Sequence, residues 1–173
     1  MIERYCDNAP CIADDAFIHA SAVVIGDVTI GARSSVWPNT TLRGDDGPIV
    51  IGNDTSIQDN SVVHLTLKLS RTVIGSRVTV GHGAILHGCS VEDDCIIGMG
   101  SIVLDNAVIE RGSIVGAGTV IPPGKRVPPG SLVVGNPFRV VRPCRDDEVR
   151  WIETSWKIYV ERARTYLERA RTR

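Results

Sequence analysis

The sequence predicts an all-β solenoid, a parallel β-helix of about seven coils with a C-terminal α-helix packed alongside. Three observations predict it: an aliphatic residue at every sixth position, a small residue four places after most of these, and a switch to three-four spacing near the C-terminus.

The six-residue series runs Ile12, Ile18, Val24, Ile30, Val36, Leu42, then Ile51, Ile57, Val63, then Ile74, Val80, Leu86. It resumes at Val91, Ile97, Val103, Ile109, Val115, Ile121, Val127 and Val133. Companions such as Ala16, Ala22, Ser34, Thr40, Thr55, Ser61, Ala84, Ser101, Ala107, Ser113 and Thr119 follow at the fourth place. A period of six suits neither a continuing helix nor a long strand. It suits a short strand and a turn repeated around a triangular prism, three hexads to a coil. The aliphatic residue then points inward, where like residues from successive coils stack, and the small one sits at a corner where bulk would clash. Gly31, Gly52, Gly75, Gly81, Gly98 and Gly116, each directly after an aliphatic position, are expected to mark the turns.

The series breaks in three places. Three extra residues fall between Leu42 and Ile51, five between Val63 and Ile74 (the Leu65 to Thr72 loop), and one is missing between Leu86 and Val91. All three breaks flank histidines, and loops on a solenoid commonly gather on its binding face. After Val133, Gly135-Asn136-Pro137 is expected to end the prism. From Asp146, the spacing of Val149, Ile152, Trp156, Tyr159, Val160, Ala163, Tyr166, Leu167 and Ala170 predicts a long amphipathic helix. Asp146, Asp147 and Glu148 stand at its start and Arg169, Arg171 and Arg173 at its end. Its apolar stripe is expected to cover a face of the prism or of a neighbouring subunit. The division is residues 1–140 for the prism with its N-terminal segment and 141–173 for the helix of the same domain.

At 173 residues the chain reads as one domain that needs no disulfides. A net charge of −1 leaves no basic footprint for nucleic acid or an anionic membrane, so the partner expected is a small molecule. With no apolar run long enough to span a bilayer and no signal-peptide pattern, a cytoplasmic protein is expected. The five cysteines are an odd set without a C-x-x-C pair and read as reduced thiols. Cys89, two residues after His87, reads as a packing residue.

Arg43, His64 and His87 each directly follow an inward residue of the third face on successive coils, which makes them an outward column. Strands about 4.8 Å apart let two such imidazoles reach one metal ion at about 2.0–2.1 Å. His82 falls on the second face, above Gln58 and Asp59, and cannot easily turn the corner to the same ion. It can reach an ion held by the third face of another copy. The spacing therefore predicts a homotrimer with three interfacial metal sites, each using His64 and His87 of one subunit and His82 of the next. His19 has no partner and receives no role. Arg43 and Asp45, beside the column, read as interfacial or supporting groups.

The segments Leu42-Arg43-Gly44-Asp45, Ile57 to His64, Val80 to Cys89, Ile97-Gly98-Met99-Gly100 and Gly135-Asn136-Pro137 resemble the γ-class carbonic anhydrase family of the hexapeptide-repeat superfamily, from about residue 10 to 160. The resemblance implies a left-handed β-helix and a homotrimer with Zn2+, Fe2+ or Co2+ between subunits. It implies His64, His82 and His87 as ligands, Arg43, Asp45 and Asp59 as an interfacial ion-pair set, and Gln58 as the residue that orients the metal-bound water. The activity implied is the reversible hydration of CO2 to bicarbonate, a lyase reaction by hydroxide formed when the metal lowers the pKa of bound water to about 7. The chain departs from the family's best-performing members in two ways. The loop Leu65 to Arg71 has no carboxylate to relay the proton, which leaves Asp46 as the nearest acidic group. Thr154, Lys157 and Ile158, with Tyr159 beyond, stand in the helix segment where relatives carry tyrosine and asparagine near the metal. Two alternatives stay open. One is a hexapeptide-type acyltransferase using a histidine as general base on an acyl-coenzyme A substrate; the other is a catalytically weak metal-binding or scaffold trimer.

Overall fold

The computed structural model describes residues 1–171; Arg173 and the side chain of Arg171, both expected at the helix's basic end, lie outside the described part. The chain winds as a left-handed parallel β-helix whose strands are mostly two or three residues long. One sheet of eight strands forms the second face. The first and third faces merge into a twelve-stranded sheet because the long strands Val23–Ile30 and Thr41–Ile51 run round the corner between them.

The register matches the sequence series position for position. Ile12, Ile30, Ile51, Ile74, Val91, Ile109 and Val127 form one column. Ile18, Val36, Ile57, Val80, Ile97, Val115 and Val133 form the second. Val24, Leu42, Val63, Leu86, Val103 and Ile121 form the third. Beyond Ile12 and Ile18, every member is at most 2% exposed, so the three columns are the core. Burial of each such side chain contributes about 1.5–3 kcal/mol. The companions at the fourth place are buried too, and their hydroxyls donate to carbonyls of the next coil: Ser34 to Gly52 (2.6 Å), Thr40 to Gln58 (2.8 Å) and Thr55 to Gly75 (2.7 Å).

The corners correct one expectation. The turn itself is made three places after the inward residue, where Asn39, Asp54, Asn60, Asp94, Asn106 and Gly112 adopt φ between 56° and 72°. Asn, Asp and Gly tolerate that left-handed region best. The glycines directly after the inward residues serve close approach between coils. A Cβ on Gly98 would lie 2.5 Å from the Ala117 nitrogen, and one on Gly52 2.7 Å from the Gly75 carbonyl carbon.

Gly135-Asn136-Pro137 ends the parallel coils as expected, but not the sheet. Strand Ser131–Val134 turns back through it into Arg139–Pro143, which pairs antiparallel and covers an otherwise open edge. The helix Asp146–Arg171 then runs along the second face. Glu148 accepts from both Arg142 guanidinium nitrogens (2.6 and 2.8 Å) and from the Arg145 backbone N–H (2.8 Å), which fixes the helix start. Ile152, Ser155 and Ala163 are buried against the prism, and Trp37 packs against Phe17, Tyr159 and Tyr166. Among the described residues no helix is long and apolar enough to cross a membrane.

Candidate metal centre

His64 and His87 end the strands Val62–His64 and Ile85–His87, which pair in register so that the two residues stand opposite each other. This survives the five-residue insertion between them because the inward pairs Val63–Leu86 and Leu86–Val103 lock the alignment. The His64 Nδ1 and His87 Nε2 atoms face each other at 3.2 Å. The far nitrogen of each ring meets a carboxylate: His64 Nε2 lies 3.1 Å from Asp45 Oδ1, and His87 Nδ1 lies 3.3 Å from Asp105 Oδ2. Those carboxylates assign the tautomers, because each accepts an N–H and leaves a lone pair on the facing nitrogen.

Two lone pairs aimed at one region suit a cation. Nitrogens each about 2.05 Å from a tetrahedral ion are about 3.3 Å apart, so the 3.2 Å separation fits a divalent metal without rearrangement of these two rings. Arg43 closes the site from the preceding coil: Nη1 bonds Asp45 Oδ2 at 2.5 Å, and Nη2 reaches His64 Nδ1 at 3.4 Å. Burial pushes the Asp45 carboxyl up, but hydrogen bonds from Arg43 and His64 outweigh it and hold the carboxyl below the ordinary aspartate value. Asp46, half-exposed, has Oδ2 3.5 Å from His64 Nε2. Asp45, Asp46 and His64 offer ligand atoms within 4.8 Å of one another, the one such group of three among the described residues.

His82 is therefore not gathered with the other two histidines in a single protomer. It follows strand Thr79–Val80 of the eight-stranded sheet, and its Nδ1 lies 2.9 Å from Oδ2 of Asp59 on the preceding coil. Asp59 thus accompanies His82 while Arg43 and Asp45 accompany His64, on separate faces. Gln58, only 4% exposed, lines a cleft of about 220 Å3 with Gly81, His82, Met99, Trp151 and Tyr159. The helix residues at this cleft are Trp151, Ser155 and Tyr159, held in phase by the 3.0 Å bond between Ser155 and Thr79 hydroxyls. Thr154 bonds the Arg150 carbonyl and Lys157 pairs with Glu153, both within the helix.

Asp105 is a site residue that the sequence reading missed. Its signal was its place two residues after inward Val103, at the same corner as His87 one coil earlier. The thiols are free, and Cys89 and Cys95 are buried in the core, where desolvation pushes both up to about 12.

A family model described as bacterial transferase hexapeptide (six repeats) matches residues 12–44 and 88–123. The chain is 44% identical over 165 residues to gamma carbonic anhydrase 1, mitochondrial, of Arabidopsis thaliana, covering 92% of this chain but only 60% of that protein's length. It is 48% identical to the carbonic anhydrase of Geobacillus kaustophilus, covering 99% of this chain and 95% of the relative. It is also 40% identical to the carnitine operon protein CaiE of Escherichia coli, over 87% of this chain and 76% of the relative. Among solved structures, a hexapeptide transferase family protein from Anaplasma phagocytophilum superposes with a TM-score of 0.92 at 41% identity, covering 95% and 97% of the two chains.

Proposed function

Since the chain belongs to the γ-class carbonic anhydrase family, we propose that it catalyses the reversible hydration of CO2 to bicarbonate at a divalent metal ion shared between subunits of a homotrimer. In this proposal, His64 and His87 of one protomer and His82 of the next hold the ion, Zn2+ or alternatively Fe2+ or Co2+. The observation that carries it is the convergence of the His64 and His87 nitrogens at 3.2 Å, each ring backed by a carboxylate. The placement of His82 on a different sheet supports completion of the site by a neighbour.

When bound, the ion supplies Lewis acidity that makes hydroxide available at neutral pH. The protein's own groups do the rest. Asp45 holds the His64 tautomer and Arg43 balances its charge, while Asp59 orients His82. Gln58 presents an amide to the reacting oxygen, and Met99, Trp151 and Tyr159 give an uncharged linear substrate an apolar wall. Bicarbonate, charged and well hydrated, leaves such a wall readily. With no carboxylate in the Leu65 to Arg71 loop, the proton passes to external buffer, and turnover rises with buffer concentration.

Metal analysis of anaerobically purified protein, joined to a stopped-flow CO2 hydration assay, tests this. Stoichiometric metal with hydration activity, both lost in His82→Ala, is the expected result. Metal retained in His82→Ala would instead show that one protomer's own groups hold the ion without the neighbour's histidine. Similarity to a hexapeptide transferase family protein makes acyl transfer the second reading, and thiol release from acetyl-coenzyme A without CO2 hydration would establish it.

A further inference from the structure

Asp105 makes three side-chain contacts at one place. Its Oδ1 accepts the Ser70 hydroxyl at 2.5 Å, and its Oδ2 accepts the Thr66 hydroxyl at 3.2 Å and lies 3.3 Å from His87 Nδ1. Thr66 and Ser70 also close their own loop, the Thr66 N–H donating to the Ser70 hydroxyl (3.1 Å) and the Ser70 N–H to the Thr66 carbonyl (3.1 Å). Gly88 leaves the room this requires, since a Cβ there would lie 2.1 Å from Asp105 Oδ1 and 2.2 Å from the Ser70 hydroxyl. The residue missing from the repeat at Gly88 and the residues added after His64 thus meet on one carboxylate.

We infer that Asp105 is a positioning residue: it holds His87 by Nδ1 so that Nε2 faces the ion, and through Thr66 and Ser70 it fastens the Leu65 to Arg71 loop to that ring. The inference rests on His87 being a ligand, as proposed above. Two hydroxyls suffice to anchor a loop; the third contact goes to the ring nitrogen opposite the one that faces His64. A carboxylate there fixes the tautomer and raises the basicity of the ligating nitrogen, and loss of such a partner typically weakens metal binding about 10–100-fold.

The test is Co2+ affinity of the full-length protein, measured by competition with a chromophoric chelator, together with the visible spectrum of the Co2+ form. Asp105→Asn, which keeps the size and removes the charge, is expected to weaken Co2+ binding about 10–100-fold and to shift its absorption bands at saturating metal. The Thr66→Ala/Ser70→Ala variant, which frees the loop alone, is expected to become protease-sensitive at residues 65–71 with a much smaller loss of affinity. Unchanged affinity and spectrum in Asp105→Asn, or an equal loss in the loop variant, would overturn the inference while leaving the His87 ligand intact. His87→Ala separates the two levels: retained metal there overturns both the ligand set and the role of Asp105. The His87 tautomer in wild-type metal-free protein, read by 15N NMR, needs no variant. The Nδ1–H form is expected, and the Nε2–H form refutes the inference.

Discussion

Gly88→Ala, compared with Gly124→Ala, measures how tightly the metal corner is packed. Both glycines hold positive φ, +63° and +68°, so both variants incur the left-handed cost of a Cβ, about 1–2 kcal/mol. At Gly124 nothing lies within 4 Å of the added carbon and the cost ends there. At Gly88 the carbon meets Asp105 Oδ1 at 2.1 Å and the Ser70 hydroxyl at 2.2 Å, far inside contact distance, so the hydroxyl–carboxylate bond must open. A hydrogen bond to a charged group is worth about 1.5–3 kcal/mol, which makes Gly88→Ala the more damaging by that amount. The assay is guanidinium unfolding of metal-free protein at equal protomer concentrations, so that neither bound ion nor assembly contributes to the difference. Equal losses at the two sites would refute the packing of Asp105 and Ser70 over Gly88.

Other outcomes follow from the same structure. Ile51→Ala removes three carbons from the middle of a column at 1% exposure and should cost about 2–5 kcal/mol, whereas Val50→Ala on the same strand, 39% exposed, should cost under about 1; chemical denaturation reads both. In acid, Asp45 and Asp105 have folded-state pKa values below the ordinary 3.8, and Glu148, bonded by Arg142 and the Arg145 N–H, is drawn from 4.5 down to about 2. Carboxyls depressed on folding stabilise the native state above their unfolded pKa. That contribution is lost as pH falls from about 4.5 through the folded values, so Glu148→Gln should flatten the unfolding midpoint against pH between 4.5 and 2. A thiol reagent should modify exposed Cys6 and Cys11 of the native chain quickly, Cys144 more slowly, and buried Cys89 and Cys95 only on unfolding, as followed by mass spectrometry.

The columns were legible in the sequence because each inward position is dictated by one local requirement, burial, that repeats without exception from Val24 to Val133. The glycine corners were read wrongly because a glycine has two physical uses. Gly98 serves close approach and Gly100 positive φ, and a sequence does not distinguish them. The closing strand Arg139–Pro143 escaped notice because its residues are mostly exposed and carry no inward alternation. Helix phase is a tertiary property: Tyr159 and Trp151 face the His82 cleft because Ser155 meets Thr79 across the sheet, a pairing that three-four spacing cannot encode. Asp105 was hidden for a related reason, since the aspartate answers to a histidine on another coil.

An unbroken hexapeptide repeat stacks like on like and offers identical corners, so it has no means of gathering unlike groups. The breaks provide that means here. The three residues inserted after Leu42 put Asp45 and Asp46 beside His64, and the five inserted after Val63 bring Thr66 and Ser70 over the next corner. The residue omitted after Leu86 puts the left-handed turn at Gly88, directly after His87, and Gly88 leaves the room in which Asp105 approaches. None of these changes disturbs the inward register, because each occurs at a corner and the column residues on both sides still pair. His82 lies on an unbroken part of the repeat and points from a different face. His64 and His87 stand on another face in regular register, and the breaks supply the carboxylates and hydroxyls around them, so in the proposed site a group on one face of one copy meets a pair on a different face of the next. The interface therefore belongs to the proposed chemistry as much as to the assembly.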